Sequence, residues 1–368
     1  MAYQVIVVEE DKQVLEKLTT ALRRSPDFEV ASTYKTADLA LGQSRMFKPN
    51  LFLINVDDSE NVQLLRSFVN SYPHAKILGM LSSWDSSIVY SCTKVGIDGC
   101  ILKSFTVEEI KKALQLYALR GEKRPSRLIA FFSPKGRAGR TTAASILALK
   151  LAEKSGDRVA LIDADLQFGD MPIFFDVDPE NTIIEASQDI KLLNPLTFEP
   201  YFCPLKDNLS LLASSEQPEY AELVEAENFI EVIKMTCTLF RYVLIDLPSG
   251  FNPISINTCD LVDTSVIMVM LDNVFDIYHM RRALEMFQTF RKDRKRIYTC
   301  FTRVNPCTEE ERLKLQRELG YPVTDILPNE YQMISLANSG RLLKGLPKDS
   351  KFMEYADKFT DDIINDRR

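Results

Sequence analysis

The strongest constraint on the fold is an alternation: short, almost wholly apolar runs, each closed by a polar loop and followed by a helical pattern. Residues 4–8 read as a buried strand, residues 12–24 as a helix with Val14, Leu15, Leu18 and Leu22 on one face, and residues 51–56 as another apolar strand. Residues 77–81 and 99–102 continue the series, with helical patterns between them, and residues 107–119 form its last helix. Five such units predict a parallel sheet covered on both faces by helices. In that architecture the chemistry lies at the carboxyl ends of the strands. The alternation begins afresh at Arg127, after a polar stretch, 121–126, that contains Gly121 and Pro125. A chain of 368 residues suits two cores rather than one. The expectation is therefore α/β throughout, with a first domain over residues 1–120, a linker over 121–126 and a second domain over 127–368.

Composition excludes several classes of function. Hydrophobic content of 45% with 26% charged residues is globular, and no run of 18 or more apolar residues offers a membrane span. The first eight residues lead straight into a strand pattern without the basic and apolar regions of an export signal, so a cytoplasmic location is expected. Seven cysteines with no CxxC pair, and only two histidines, argue for reduced, buried thiols rather than a zinc site or a disulfide framework. The net charge of −7 divides into +1 over residues 1–125 and −8 over the remainder. Neither half is built to neutralise a long track of nucleic-acid phosphates. The basic cluster at 291–296 reads as a solvated helix end.

Residues 133–142, SPKGRAGRTT, form a glycine-rich turn between the apolar run 128–132 and the helical pattern 143–151. Such a turn aims backbone N–H groups at a polyphosphate from a helix N-terminus, so nucleotide binding is the first functional expectation. Lys135, Gly136, Arg137, Ala138, Gly139, Arg140, Thr141 and Thr142 are the candidate cradle. The next apolar run, 158–162, ends in Asp163-Ala164-Asp165, and a later one, 241–245, ends in Asp246. Asp246 is expected to fix Mg²⁺ directly or through water, with Thr141 supplying a hydroxyl ligand.

The order of these motifs over residues 127–350 resembles the MinD/ParA class of deviant Walker A ATPases. Lys135 matches the signature lysine of that class, which implies a homodimer in which it reaches the partner's ATP. Asp165 matches the aspartate that orients the attacking water, and Asp163 a residue of the Mg²⁺ outer sphere. Pro328 and Asn329, with Asn305 and Pro306, fall where the class contacts adenine; its usual asparagine is Thr302 here. Two residues depart from the pattern. Arg137 replaces a glycine, and Arg140 replaces the loop lysine, whose single ammonium a planar guanidinium cannot reproduce. Slow hydrolysis is the expectation. The final helical pattern, 352–364, puts Phe352, Tyr355, Ala356, Phe359 and Ile363 on one face with an acidic, mixed polar face, and is expected to pack on the domain rather than enter a membrane.

The first half resembles a CheY-like (βα)5 receiver domain. Glu9, Glu10 and Asp11 stand at the Mg²⁺-holding acid cluster, Ser82 at the small hydroxyl position and Lys103 at the lysine. The phosphoacceptor position, however, is Asn55, and an amide is not the anionic nucleophile that a phosphoaspartate requires. Cys100 replaces the aromatic switch residue and Ser104 the proline, so a docking module without phosphorylation is expected. Asp57 and Asp58 lie past the strand end, where they are expected to cap or solvate the loop. A degenerate receiver ahead of such an ATPase, together with Asp165–Asp170 (DLQFGD), Gln217-Pro218-Glu219, 327–331 and 337–340, resembles the TadZ/CpaE branch. That resemblance implies a positioning role in a bacterial Tad (Flp, type IVb) pilus machine, with its secretion ATPase among the partners and recruitment to a cell pole or the inner-membrane apparatus. The competing readings are a chromosome-partitioning or cell-division ATPase and a scaffold that no longer binds nucleotide.

Overall fold

The computed structural model describes residues 2–119, 124–290, 296–304, 308–347 and 349–366. Residues 291–295 of the basic cluster, Asn305 and Pro306 lie outside them. The chain forms two compact units. One comprises residues 1–126 with 191–199 and 233–241; the other comprises 127–190, 200–232 and 242–368.

The first unit is built on strands β1 (Tyr3–Val8), β2 (Phe28–Tyr34), β3 (Leu51–Asn55), β4 (Lys76–Leu81) and β5 (Gly99–Leu102). All pair in parallel in the order β2-β1-β3-β4-β5. The alternation of strands and helices holds, with one strand, β2, that apolar runs did not reveal. Its burial is broken by exposed Glu29 and Thr33, as suits the edge of the sheet. The helix after β1 spans Lys12–Arg23 and starts where the Asp11 carboxylate accepts from the Gln13 and Val14 amides. A capping box, Thr106 with Glu109, starts the helix Val107–Ala118.

The second unit carries strands β6 (Arg127–Phe132), β7 (Val159–Asp163), β8 (Cys203–Lys206), β9 (Leu209–Leu212), β10 (Tyr242–Asp246), β11 (Thr264–Met270), β12 (Arg296–Val304) and β13 (Asp325–Pro328). Their order is β13-β12-β11-β6-β10-β7-β9-β8, parallel except for the edge hairpin of β8 with β9. The central strands β6, β7 and β10 are buried almost end to end, which is why each reads as a continuous apolar run. Helices Arg140–Ser155 and Lys351–Ile364 share one core with the sheet. Among the described residues no helix is long and apolar enough to cross a membrane.

Candidate functional site

Strand register decides where the carboxylates of the second unit fall. β10 lies between β6 and β7, and Asp246 is the register partner of both Phe131 and Asp163. The two aspartates therefore end neighbouring central strands, about 4.8 Å apart across the ladder. Asp163 is fully buried and accepts from the Met171 amide at 3.2 Å, the Asp165 amide at 3.3 Å and the Ser214 hydroxyl at 3.3 Å. A Cβ at Gly169 would lie 2.0 Å from Ser214 Oγ and 2.5 Å from Asp163 Oδ2, so only glycine lets the loop fold over this carboxylate. Thr141 Oγ1 donates to Asp246 Oδ2 at 2.5 Å, while the buried Asp246 Oδ1 finds no hydrogen-bond donor among the described residues.

Burial, with Asp246 beside it, pushes the Asp163 carboxyl up to about 8. Burial raises Asp246 to about 6, although Arg140 and Thr141 both pull it down. Each carboxyl is held above its ordinary 3.8, so each favours the fold most when protonated. That contribution is complete below the ordinary value and is lost as pH rises through about 6 and then about 8. The metal-free protein is thus expected to lose thermal stability relative to an Asp163→Asn variant as pH is raised from about 5 to about 8. A pH-independent gap between the two melting temperatures would contradict this.

The glycine-rich turn leaves β6 at the centre of the sheet. Gly139, at φ +78°, caps the helix Arg140–Ser155 without offering a side chain, which leaves the first-turn amides free of a side-chain cap. Arg137 sits at φ +69°, the left-handed region that glycine adopts freely, in keeping with the reading of its position as one where glycine is usual. The Arg140 guanidinium turns inward. It is 8% exposed, donates to the Leu247 carbonyl and lies 3.8 Å from both Asp165 Oδ2 and Asp246 Oδ1. Lys135 stays half-exposed with its Nζ 3.9 Å from Asp276 Oδ1.

Asp276 was not anticipated. It accepts from the Asp272 and Asn273 amides at 3.0 and 2.9 Å at the start of the helix Val274–Phe287. The available signal was the Asn-x-x-Asp capping pattern directly after an apolar run. Beside the turn, a cavity of about 200 Å³ is lined by Gly139, Thr142, Thr302, Pro328, Asn329 and Phe352, among others. Pro328 and Asn329 thus border the same cavity as the loop, and Thr302 holds the loop by donating to the Ala138 carbonyl at 3.0 Å.

These groups fit a magnesium-bound nucleotide. The helix start offers amides without a side-chain cap, and the buried Asp246 Oδ1 has no hydrogen-bond donor among the described residues. Among the described residues no three His, Cys, Asp or Glu side chains are arranged to hold a metal alone. A magnesium ion bound with a nucleotide would take most of its ligands from phosphates and water, and Thr141 and Asp246, with Asp163 behind them, are the residues that would hold it.

In the first unit, β1, β3, β4 and β5 bring Glu9, Asn55, Ser82 and Lys103 to one edge. Asn55 Nδ2 donates to Glu9 Oε1 at 3.4 Å, and Lys103 Nζ lies 2.9 Å from Glu9 Oε2. Glu10 is exposed and Asp11 is used as a helix cap. Asp58 also caps, accepting from the Glu60 amide at 2.9 Å. Asp57 is solvent-exposed in the loop, as expected, but it caps no helix: its carboxylate also turns back across the edge to Ser82 and Lys103.

Comparison with known proteins separates the two units. The profile of the CobQ/CobB/MinD/ParA nucleotide binding domain matches residues 129–343. A putative septum site-determining protein MinD of Tupiella akineta is 28% identical over 233 residues, which is 60% of this chain and 72% of that protein. The transcriptional regulatory protein DegU of Brevibacillus brevis is 24% identical over 120 residues, 32% of this chain and about half, 51%, of its own length. Among solved structures, a ParA family ATPase from Chlorobium tepidum TLS superposes with a TM-score of 0.58 at 17% identity, over 64% of this chain and 98% of its own.

Proposed function

The chain belongs to the CobQ/CobB/MinD/ParA nucleotide-binding family, and from that premise we propose that it is an ATP-binding, dimerising positioning protein of a bacterial Tad (Flp) pilus machine. In this reading it hydrolyses ATP slowly, and its receiver-like unit takes no phosphoryl group. The nucleotide half of the proposal is carried by one juxtaposition: an uncapped, glycine-led helix start beside the orphaned Asp246 Oδ1. Magnesium, when bound, would supply positive charge to the nucleotide's phosphates. Thr141 and Asp246 hold the cation side, Asp165 orients a water, and Lys135, released from Asp276, reaches the nucleotide of a second copy. Exposed Phe168 and Phe251 sit on the loops that follow β7 and β10, and exposed Phe275 and Tyr331 at the starts of the helices that follow β11 and β13, which supports a partner surface on that same edge.

The pilus assignment rests on the order of the two units and on the TadZ/CpaE-like segments quoted above. Deleting the gene is expected to abolish pili while leaving septum placement and chromosome segregation intact; a division or partition defect with normal pili would favour the cell-division alternative. The dimer is tested by following molar mass during titration with Mg²⁺-ATP. The wild type is expected to double in mass, and Lys135→Ala to dimerise at least tenfold more weakly, in line with about 1.5–3 kcal/mol for a charge-assisted hydrogen bond. A variant that dimerises like the wild type removes Lys135 from the interface, and a wild type that never binds ATP leaves the scaffold reading.

A further inference from the structure

The carboxyl edge of the first unit contains a cradle of the kind that binds an oxyanion. The Ser82 amide, the Ser82 hydroxyl and the Lys103 ammonium all point at one place. The chain supplies the anion itself. Asp57 Oδ2 accepts from Ser82 Oγ at 2.6 Å and from the Ser82 amide at 3.0 Å, and it lies 3.1 Å from Lys103 Nζ. We propose that Asp57 is a tethered anion seated permanently in this cradle, holding the loop after β4 and the end of β5 in one arrangement with no phosphoryl group.

The surrounding residues are matched to that role. The Asp57 amide donates to Asn55 Oδ1 at 3.0 Å, a local turn that sends the Asp57 side chain back over the edge. Asn55 is neutral and donates to Glu9, so a single lysine faces two carboxylates, Glu9 and Asp57. An aspartate at position 55 would add a third like charge and remove the donor. Burial opposes ionisation of Asp57, but the bonds from Ser82 and Lys103 outweigh it and keep its carboxyl below the ordinary value. Burial likewise disfavours the Lys103 ammonium, and its bonds to Glu9 and Asp57 more than offset that.

This assignment rests on the reading of the unit as one that accepts no phosphoryl group, and the full-length protein can test the two separately. With acetyl phosphate and Mg²⁺, the intact mass of the wild type is expected to stay unchanged. A phosphoryl group mapped to Asp57 would overturn both ideas at once. In Asp57→Ala, amide exchange over residues 82–84 is expected to accelerate roughly tenfold to a hundredfold, since charge-assisted bonds are lost, and inorganic phosphate is expected to restore slow exchange there. Phosphate is expected to do nothing to the wild type. Asp57→Asn keeps the shape and loses the charge, so it should accelerate exchange in the same direction to a smaller degree even if the alanine variant folds poorly. Exchange at wild-type rates in both variants, with no phosphate effect, overturns the tethered anion alone.

Discussion

Arg140→Lys is expected to accelerate ATP turnover by roughly 100-fold, the scale on which single electrostatic groups act at a transition state. The reason is the present position of Arg140. Its guanidinium is buried at the carboxyl edge, bonded to the Leu247 carbonyl and placed between Asp165 and Asp246. A group spent on those partners is not free to follow charge as it develops on a transferring phosphoryl, and its planar fork is the wrong shape to sit as a point charge between two phosphates. It also neutralises part of the charge of Asp165, the residue assigned to the attacking water. Lysine frees that carboxylate and returns a compact cation to the loop. The same variant loses the guanidinium bond to Leu247, so it should melt below the wild type. Phosphate release measured at saturating Mg²⁺-ATP checks the prediction, and an unchanged rate in a folded variant would show that Arg140 does not limit catalysis.

Ending the chain at residue 350 is expected to prevent the second unit from folding. The helix Lys351–Ile364 buries Phe352, Met353, Tyr355, Phe359 and Ile363 in the same core as the helix that follows the glycine-rich turn. Tyr298 on β12 meets the Phe359 ring edge-on at 5.0 Å. Five large side chains at about 1.5–3 kcal/mol each sum to a figure comparable with the roughly 5–15 kcal/mol that stabilises a whole domain. The outer face adds ion pairs of Lys150 and Lys154 with Asp357 and of Lys154 with Asp361. Because Phe352 also lines the cavity beside Gly139, the loss would reach the site as well as the core. Residues 1–350 should aggregate or unfold without a cooperative transition of the second unit. A truncated protein melting within a few degrees of the full chain would mean that this helix is an appendage, and would reopen the question of a membrane face.

The parts of this molecule that were legible beforehand share one property: their signal lies within a single stretch of chain. The buried central strands announce themselves as apolar runs, and their last residues, Asp163 and Asp246, can be named from position alone. Arg137 could be recognised as standing in a glycine position, and its φ of +69° is of the kind glycine supplies. What was not legible depends on strand order. Asp57, Ser82 and Lys103 come together because β3, β4 and β5 are neighbours, and no local pattern distinguishes Asp57 from the capping Asp58 beside it. Lys135 and Asp276 meet because β6 and β11 are adjacent, although the two residues lie far apart in the sequence. β2 escaped notice because an edge strand mixes exposed and buried residues.

The pairing of Asp163 with Asp246 has a consequence for how such a site can decay. Their separation is inherited from the ladder between β7 and β10, not from any loop. A one-residue slip would carry every side chain of the strand to the opposite, equally buried face and break the packing on both, so selection for a stable core also preserves the carboxylate pair, whether or not catalysis is under selection. Loop residues such as Arg137 and Arg140 have no such protection. A lineage can therefore change the loop while keeping, at the foot of it, two crowded acids.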